Sequence, residues 1–188
     1  SRMIAWPMCI FDNDMPVDEA GAIVMTTEDR AKDTPHPGGY ISGYSSGPHH
    51  KNAPSLVRSL EEQYEAGYAL AKNLYESAGT KPDDIDLIHV YNGFSPMVWN
   101  WLEIFGFCAE GEAHDWVKDG RISLDGPSPL NTAGGNLGEG RLHGWSHIRE
   151  TALQMMGTAG PRQLKKLDVA LCEVGPFWSG AAFICTRE

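Results

Sequence analysis

Positive charge is in short supply in this chain: 15 lysines and arginines stand against 25 acidic residues, a formal net charge of −10. A chain this acidic lacks the basic surface that nonspecific nucleic-acid binding requires, so no nucleic-acid partner is expected. Cysteine is also sparse. Cys9, Cys108, Cys172 and Cys185 are scattered, with no C-x-x-C pair. That spacing excludes the usual zinc sites, so no metal centre is expected, and reduced thiols in a cytoplasmic protein are the simplest reading. No apolar run approaches the ~20 residues of a membrane span, and no secretory signal pattern is visible, so no membrane association is expected. Long disordered segments and short repeats are missing as well. What is present is 188 residues, 41% of them hydrophobic, enough for a sizeable core in one or two domains.

Along the chain, residues 1–20 read as irregular, punctuated by Pro7, Pro16 and the acidic Asp12-Asn13-Asp14. Ser1 to Pro7 is already apolar and reads as mid-protein sequence, so the chain is expected to be part of a longer polypeptide. The β-branched, apolar run Ala20 to Thr26 predicts a buried strand. Thr27 is a candidate N-cap for a short helix after it. The proline- and glycine-rich Thr34 to Gly39 marks a boundary, dividing residues 1–37 from residues 38–188.

Within the larger unit, Tyr40 to Tyr44 alternates like a strand. A polar loop carrying His49, His50 and Lys51 follows, read as solvated in preference to metal-binding. Tyr64, Gly67, Tyr68, Ala71, Leu74, Tyr75 and Ala78 fall on one helical face, closed by Gly79. Ile85 to Tyr91 predicts a strand running directly into Asn92-Gly93-Phe94-Ser95-Pro96, where Ser95 is a candidate cap and Pro96 a helix start. Glu112 to Lys118 reads as a short amphipathic turn. Val169–Cys172 and Gly180–Cys185 predict a terminal hairpin with a wide loop. Strands alternating with helices argue for an α/β fold, a mixed sheet with helices on both faces.

The stretch Asn131 to Gly144 places five glycines in fourteen residues and leads into a helical pattern through Ile148, Ala152, Leu153, Met155 and Met156. Glycine lets a ligand approach the main chain, and a helix start offers unpaired N–H groups. Asn131, Gly134 and Gly135 are therefore candidate substrate-binding residues. Arg141 and His143 stand at the exit of this stretch. Tyr91 and Asn92 stand at a strand–turn–helix junction, where α/β proteins place polar groups over a ligand crevice.

The order of these pieces resembles the C-terminal half of a thiolase-superfamily protein. The similarity is closest to the sterol-carrier/lipid-transfer thiolases and the thiolase-like steroid side-chain aldolases. It is carried by Pro16 to Val24, by Val90-Tyr91-Asn92-Gly93-Phe94-Ser95, by Leu102 to Cys108 and by Asn131 through Ile148. The resemblance implies a five-layer αβαβα fold in the complete protein, with residues 1–37 ending the N-terminal half. It also implies a coenzyme A thioester substrate, with no further cofactor, and a homodimer. A small partner bearing a zinc ribbon and an OB fold often accompanies such proteins. The acyl-accepting cysteine of a thiolase belongs to the N-terminal half and is not in this chain. Arg141 occupies the position of the Gly-His-Pro histidine, and Tyr91 that of the Asn-Glu-Ala-Phe motif. Cys172 matches the final thiolase cysteine, although as a residue it reads as a small buried hydrophobe in preference to a site residue.

The expected chemistry is carbon–carbon bond cleavage on a steroid or branched acyl-CoA, most simply a retro-aldol step. Tyr91 would do acid/base work or hydrogen-bond the thioester oxygen, with Arg141 supplying positive charge and His143 moving a proton. Two other readings stand beside it. One is an acyl-transferring thiolase of the acetyl-CoA acyltransferase type. The other is a non-catalytic acyl-CoA or lipid-binding scaffold, for which Trp99, Trp101, Trp116 and Trp178 would form a partner surface if exposed.

Overall fold

The computed structural model describes residues 1–35, 38–47, 59–176 and 179–187. His49, His50, Lys51 and Trp178 lie outside the described residues, so the expectations placed on them are not addressed. The N-terminal stretch holds a two-stranded ribbon, β1 (Met3–Ala5) and β2 (Met8–Cys9), and one short helix, α1 (Glu28–Ala31). The body is built on a mixed four-stranded sheet. Its strands are β3 (Tyr40–Ser46), β4 (Leu87–His89), β5 (Val169–Val174) and β6 (Ala181–Thr186), in the order β3-β6-β5-β4. β5 and β6 form the antiparallel terminal hairpin, β3 pairs antiparallel with β6, and β4 runs parallel to β5. Pro129 to Asn131 adds a short parallel rung beyond β4, through the N–H of Ile88 to Pro129 O (2.9 Å) and that of Asn131 to Ile88 O (2.9 Å).

Alternation along the strands sends side chains to two cores. Ile88, Val90, Leu171, Ala182 and Ile184 face a cluster with Leu70, Leu74, Trp101, Leu102 and Phe105. Those residues come from α2 (Leu60–Ala78) and from α3 (Ser95–Ile104) with its C-cap, Phe105. Leu87, Ala170 and Cys185 face the opposite side, against Met155, Leu164 and Leu167. That side is covered by α6 (Trp145–Met155). α2 carries both ends of its own specification. Ser59 Oγ accepts from the Glu62 N–H and Glu62 returns the bond at 3.0 Å, while Gly79 closes the helix at φ 65°. Two short helices, α4 (Ala113–Trp116) and α5 (Gly135–Glu139), complete the set.

Three local expectations are corrected. Ala20 to Thr26 forms no strand and is not buried: Val24 is 95% exposed. A strand needs a neighbour to accept its hydrogen bonds and cover its face, and none of the described residues provides one. Ser95 is the first residue of α3 rather than its cap; its hydroxyl donates to Asp12 Oδ1 at 2.9 Å. Of the four tryptophans proposed for a partner surface, Trp101 is fully buried in the core and Trp116 packs beneath Arg121, leaving Trp99 exposed among those described.

Candidate active site

The site forms where β4 ends. In a parallel ladder, alternate N–H groups of a strand serve its two neighbours. At the exit of β4 both neighbours continue the pattern with side chains instead of main chain. On one edge, Asn131 Oδ1 accepts from the Val90 N–H and Asn131 Nδ2 donates to Val90 O, each at 3.0 Å. On the other edge, Glu173 Oε2 accepts from the Tyr91 N–H at 2.8 Å. Asn92 then ties the chain to the glycine-rich stretch. Its Nδ2 donates to Gly134 O (3.0 Å) and its Oδ1 accepts from the Asn136 N–H (2.7 Å).

This bonding accounts for the glycines. Gly134 (φ 99°) and Gly135 (φ 59°) adopt left-handed backbone. A Cβ on Gly135 would lie 2.6 Å from His147 Cε1 and would also run into the amide of Asn92. Asn92, Asn131, Gly134 and Gly135, the expected substrate-binding residues, are therefore occupied with one another and with the strand end. The Asn131 amide replaces ladder bonds, and the glycines admit the Asn92 amide.

Tyr91 is 5% exposed, and its ring lies parallel to that of His143, with centroids 6.4 Å apart and planes at 17°. His143 faces solvent and holds φ 47°, a conformation uncommon outside glycine. Gly93 leaves space for the phenol, since a Cβ there would lie 2.7 Å from the Tyr91 hydroxyl. The third member is Arg141, whose Nη1 is 3.4 Å from Asp14 Oδ1. The N-terminal stretch is held here by main-chain bonds, from the Asp14 N–H to Gly93 O at 3.1 Å and from the Arg141 N–H to Met15 O at 2.7 Å. Burial raises the Tyr91 pKa above the usual phenol range. The negative charge of Asp14 raises it further, and Arg141 opposes that rise. Burial also raises the Asp14 carboxyl, against the pull of Arg141 and His143.

The structure thus brings Tyr91, Arg141 and His143 together and sets Cys172 apart. Cys172 lies on the α6 side of β5, fully enclosed, and burial pushes its thiol far above the usual range. A thiol in that state is neither exposed nor ionised, so it cannot meet a substrate as a nucleophile. Its surroundings are a buried polar layer. His89, opposite Cys172 in the ladder, pairs Nδ1 with Thr151 Oγ1 at 2.7 Å. The Thr151 hydroxyl donates to His147 O, so it accepts from His89 Nδ1–H, which fixes the tautomer. His147, four residues beyond His143, is buried, with its ring 5.8 Å from that of His89. Among the described residues no cluster of three metal-ligating side chains occurs.

Asp14 and Glu173 escaped the sequence reading. Asp14 reads only as part of an acidic run in an irregular stretch. Glu173 carried a signal: a carboxylate directly following Ala170-Leu171-Cys172 in a core strand is rare unless it has a task.

Residues 49–185 match the family model described as thiolase C-terminal domain-like. The chain belongs to this family. Among thiolase-like relatives, it is 35% identical over 161 residues to a steroid side-chain-cleaving aldolase of Thermomonospora curvata, covering 85% of this chain and 41% of that protein. It is 36% identical over 162 residues to a 17-hydroxy-3-oxo-4-pregnene-20-carboxyl-CoA lyase of Mycobacterium tuberculosis, covering 85% of this chain and 42% of that one. The solved structure of an Ltp2-ChsH2(DUF35) aldolase superposes with a TM-score of 0.85 at 30% identity, over 99% of this chain and 49% of that one. The mixed sheet with helices on both faces is accordingly the C-terminal half of a thiolase fold, and the chain spans less than half the length of these relatives.

Proposed function

We propose that the polypeptide carrying this chain is a thiolase-like aldolase that cleaves a carbon–carbon bond of a steroid acyl-CoA by a retro-aldol step. The carrying observation is the Tyr91–His143 stack flanked by the Arg141–Asp14 pair. The named activities of the two relatives support the same reading. Retro-aldol cleavage of a β-hydroxyacyl thioester needs removal of the hydroxyl proton and stabilisation of the enolate formed at the thioester oxygen. Tyr91 exchanges the proton. Its raised pKa keeps it protonated at rest, so it begins as a hydrogen-bond donor and needs a cation to serve as base. Arg141 is the cation that opposes that rise, and it faces the developing oxyanion. His143, on the solvent side of the phenol, relays the proton outward. Cys172 takes no part.

Residues 1–37 belong, in this reading, to the end of the N-terminal thiolase half, and the acyl-CoA lies between the halves of a homodimeric cytoplasmic enzyme. A small zinc-ribbon/OB-fold protein is its partner, as a second component accompanies the aldolase of the solved neighbour. The test is turnover of a steroid β-hydroxyacyl-CoA by the full-length protein. Tyr91→Phe is expected to lower kcat by at least about tenfold, the low end of lost acid/base catalysis. Turnover equal to wild type would reject the assignment.

A further inference from the structure

Glu173 is fully buried in β5. One carboxyl oxygen holds the Tyr91 N–H, and the other, Oε1, has no hydrogen-bond partner among the described residues. No lysine, arginine or histidine forms an ion pair with it among the described residues. Oε1 lies beside Gly180: a Cβ there would come within 2.7 Å of it, 2.9 Å of Trp101 Cζ2 and 3.1 Å of Pro176 O. A carboxylate enclosed by an indole and a glycine, with no counter-charge, is costly, and such groups retain their proton. Burial indeed drives its pKa well above the usual carboxyl range.

Its location gives this acid a task. With His89 opposite Cys172, the Tyr91 N–H is the next on that edge of β4, where a main-chain carbonyl of β5 would accept it if the ladder continued. The carboxyl accepts it instead. The backbone of Tyr91 is therefore fixed without being drawn into the sheet, and the phenol turns toward His143.

We propose that Glu173 is a positioning residue for Tyr91: its enclosed carboxyl holds the Tyr91 N–H beyond the end of the ladder and thereby sets the phenol over the site. The inference rests on the aldolase reading for its catalytic consequence, but its structural core does not.

Two substitutions of the full-length protein separate the roles. Glu173→Gln keeps an oxygen acceptor of the same shape and has no proton to lose. Glu173→Met fills the volume without an acceptor. Glu173→Met is expected to lower kcat by about tenfold or more, with KM held within about twofold, as for a displaced catalytic group. Glu173→Gln is expected to restore kcat to within about threefold of wild type, with an unshifted pH profile. Peptide-resolved hydrogen exchange reads the bond without any substrate: the Tyr91 amide stays protected in Glu173→Gln and loses protection in Glu173→Met. Wild-type turnover and protection in Glu173→Met would overturn the proposal. So would a Glu173→Gln enzyme that folds yet loses tenfold in turnover, or whose pH profile moves, because charge rather than the acceptor would then be at work. If Glu173→Met does not fold, the Glu173→Gln results decide alone. Protection changes as stated, combined with an unaltered Tyr91→Phe enzyme, would retain the structural role and reject the aldolase reading.

Discussion

At the scale of single residues, Tyr91 is controlled by the charges and spaces around it. Asp14 raises its pKa and Arg141 lowers it, so removing either has an opposite effect. Asp14→Asn should move the base-dependent limb of the kcat/KM profile toward lower pH, and Arg141→Gln should move it toward higher pH. A profile measured across the neutral range checks both signs. Space matters equally. Gly93→Ala inserts a methyl group 2.7 Å from the Tyr91 hydroxyl, against a side chain that can rotate away. It should cost turnover by about tenfold or more while leaving the thermal midpoint nearly unchanged, since the phenol moves and the core does not. The sequence made Tyr91, Arg141 and His143 legible because each breaks a recognisable pattern at the edge of an element. It did not reveal Asp14, because nothing local distinguishes a carboxylate that meets solvent from one that meets an arginine 127 positions away. Cys172 reads from the sequence as a small buried hydrophobe, and the α6 side of the sheet does close over it.

At the scale of elements, the junction between β4 and the glycine-rich stretch carries the site. Asn92 and Asn131 each make two hydrogen bonds to main-chain groups. Asn92→Ala leaves the Asn136 N–H, which is buried, without its partner and removes one of the two donors to Gly134 O. It should destabilise the fold by about 2–4 kcal/mol, read as a shift in the urea midpoint at unchanged slope. Loss of activity without such a shift would return Asn92 to a substrate-binding role. The helices α2 and α6 and the hairpin β5–β6 were legible from period and punctuation alone, because each buries one face over many residues. The extended run Ala20 to Thr26 had the composition of a strand and is not one here. Strand composition signals a surface that wants covering, and the covering is supplied by other parts of a protein.

At the scale of the whole molecule, the sheet separates an apolar core from a polar layer that contains two neutral histidines. Burial lowers His89 and His147 to about 3, and the proximity of the two rings adds to the effect on His147. Unfolded histidine takes up a proton near 6.5, so between these values the unfolded chain binds more protons than the folded one. Stability is therefore fully present above about pH 6.5 and falls as the pH drops toward 3, by up to about 1.4 kcal/mol per pH unit for each histidine. Urea unfolding at neutral pH and near pH 5 should show this loss, and His89→Gln should lessen its slope. A slope unchanged in that variant would place the acid sensitivity elsewhere.

Composition and pattern by themselves determined the layered α/β class, the order of the principal helices and strands, and the positions where polar side chains interrupt them. These are short-range properties: hydrophobic period, capping and turn chemistry act within a few residues. The tertiary structure alone decided that Asp14 faces Arg141, that Glu173 holds the backbone of Tyr91, and that Asn131 bonds the backbone of Val90 while Asn92 bonds that of Gly134 and Asn136. Those pairings join residues far apart in the chain. They arise only when packing removes water from polar groups that must then find partners.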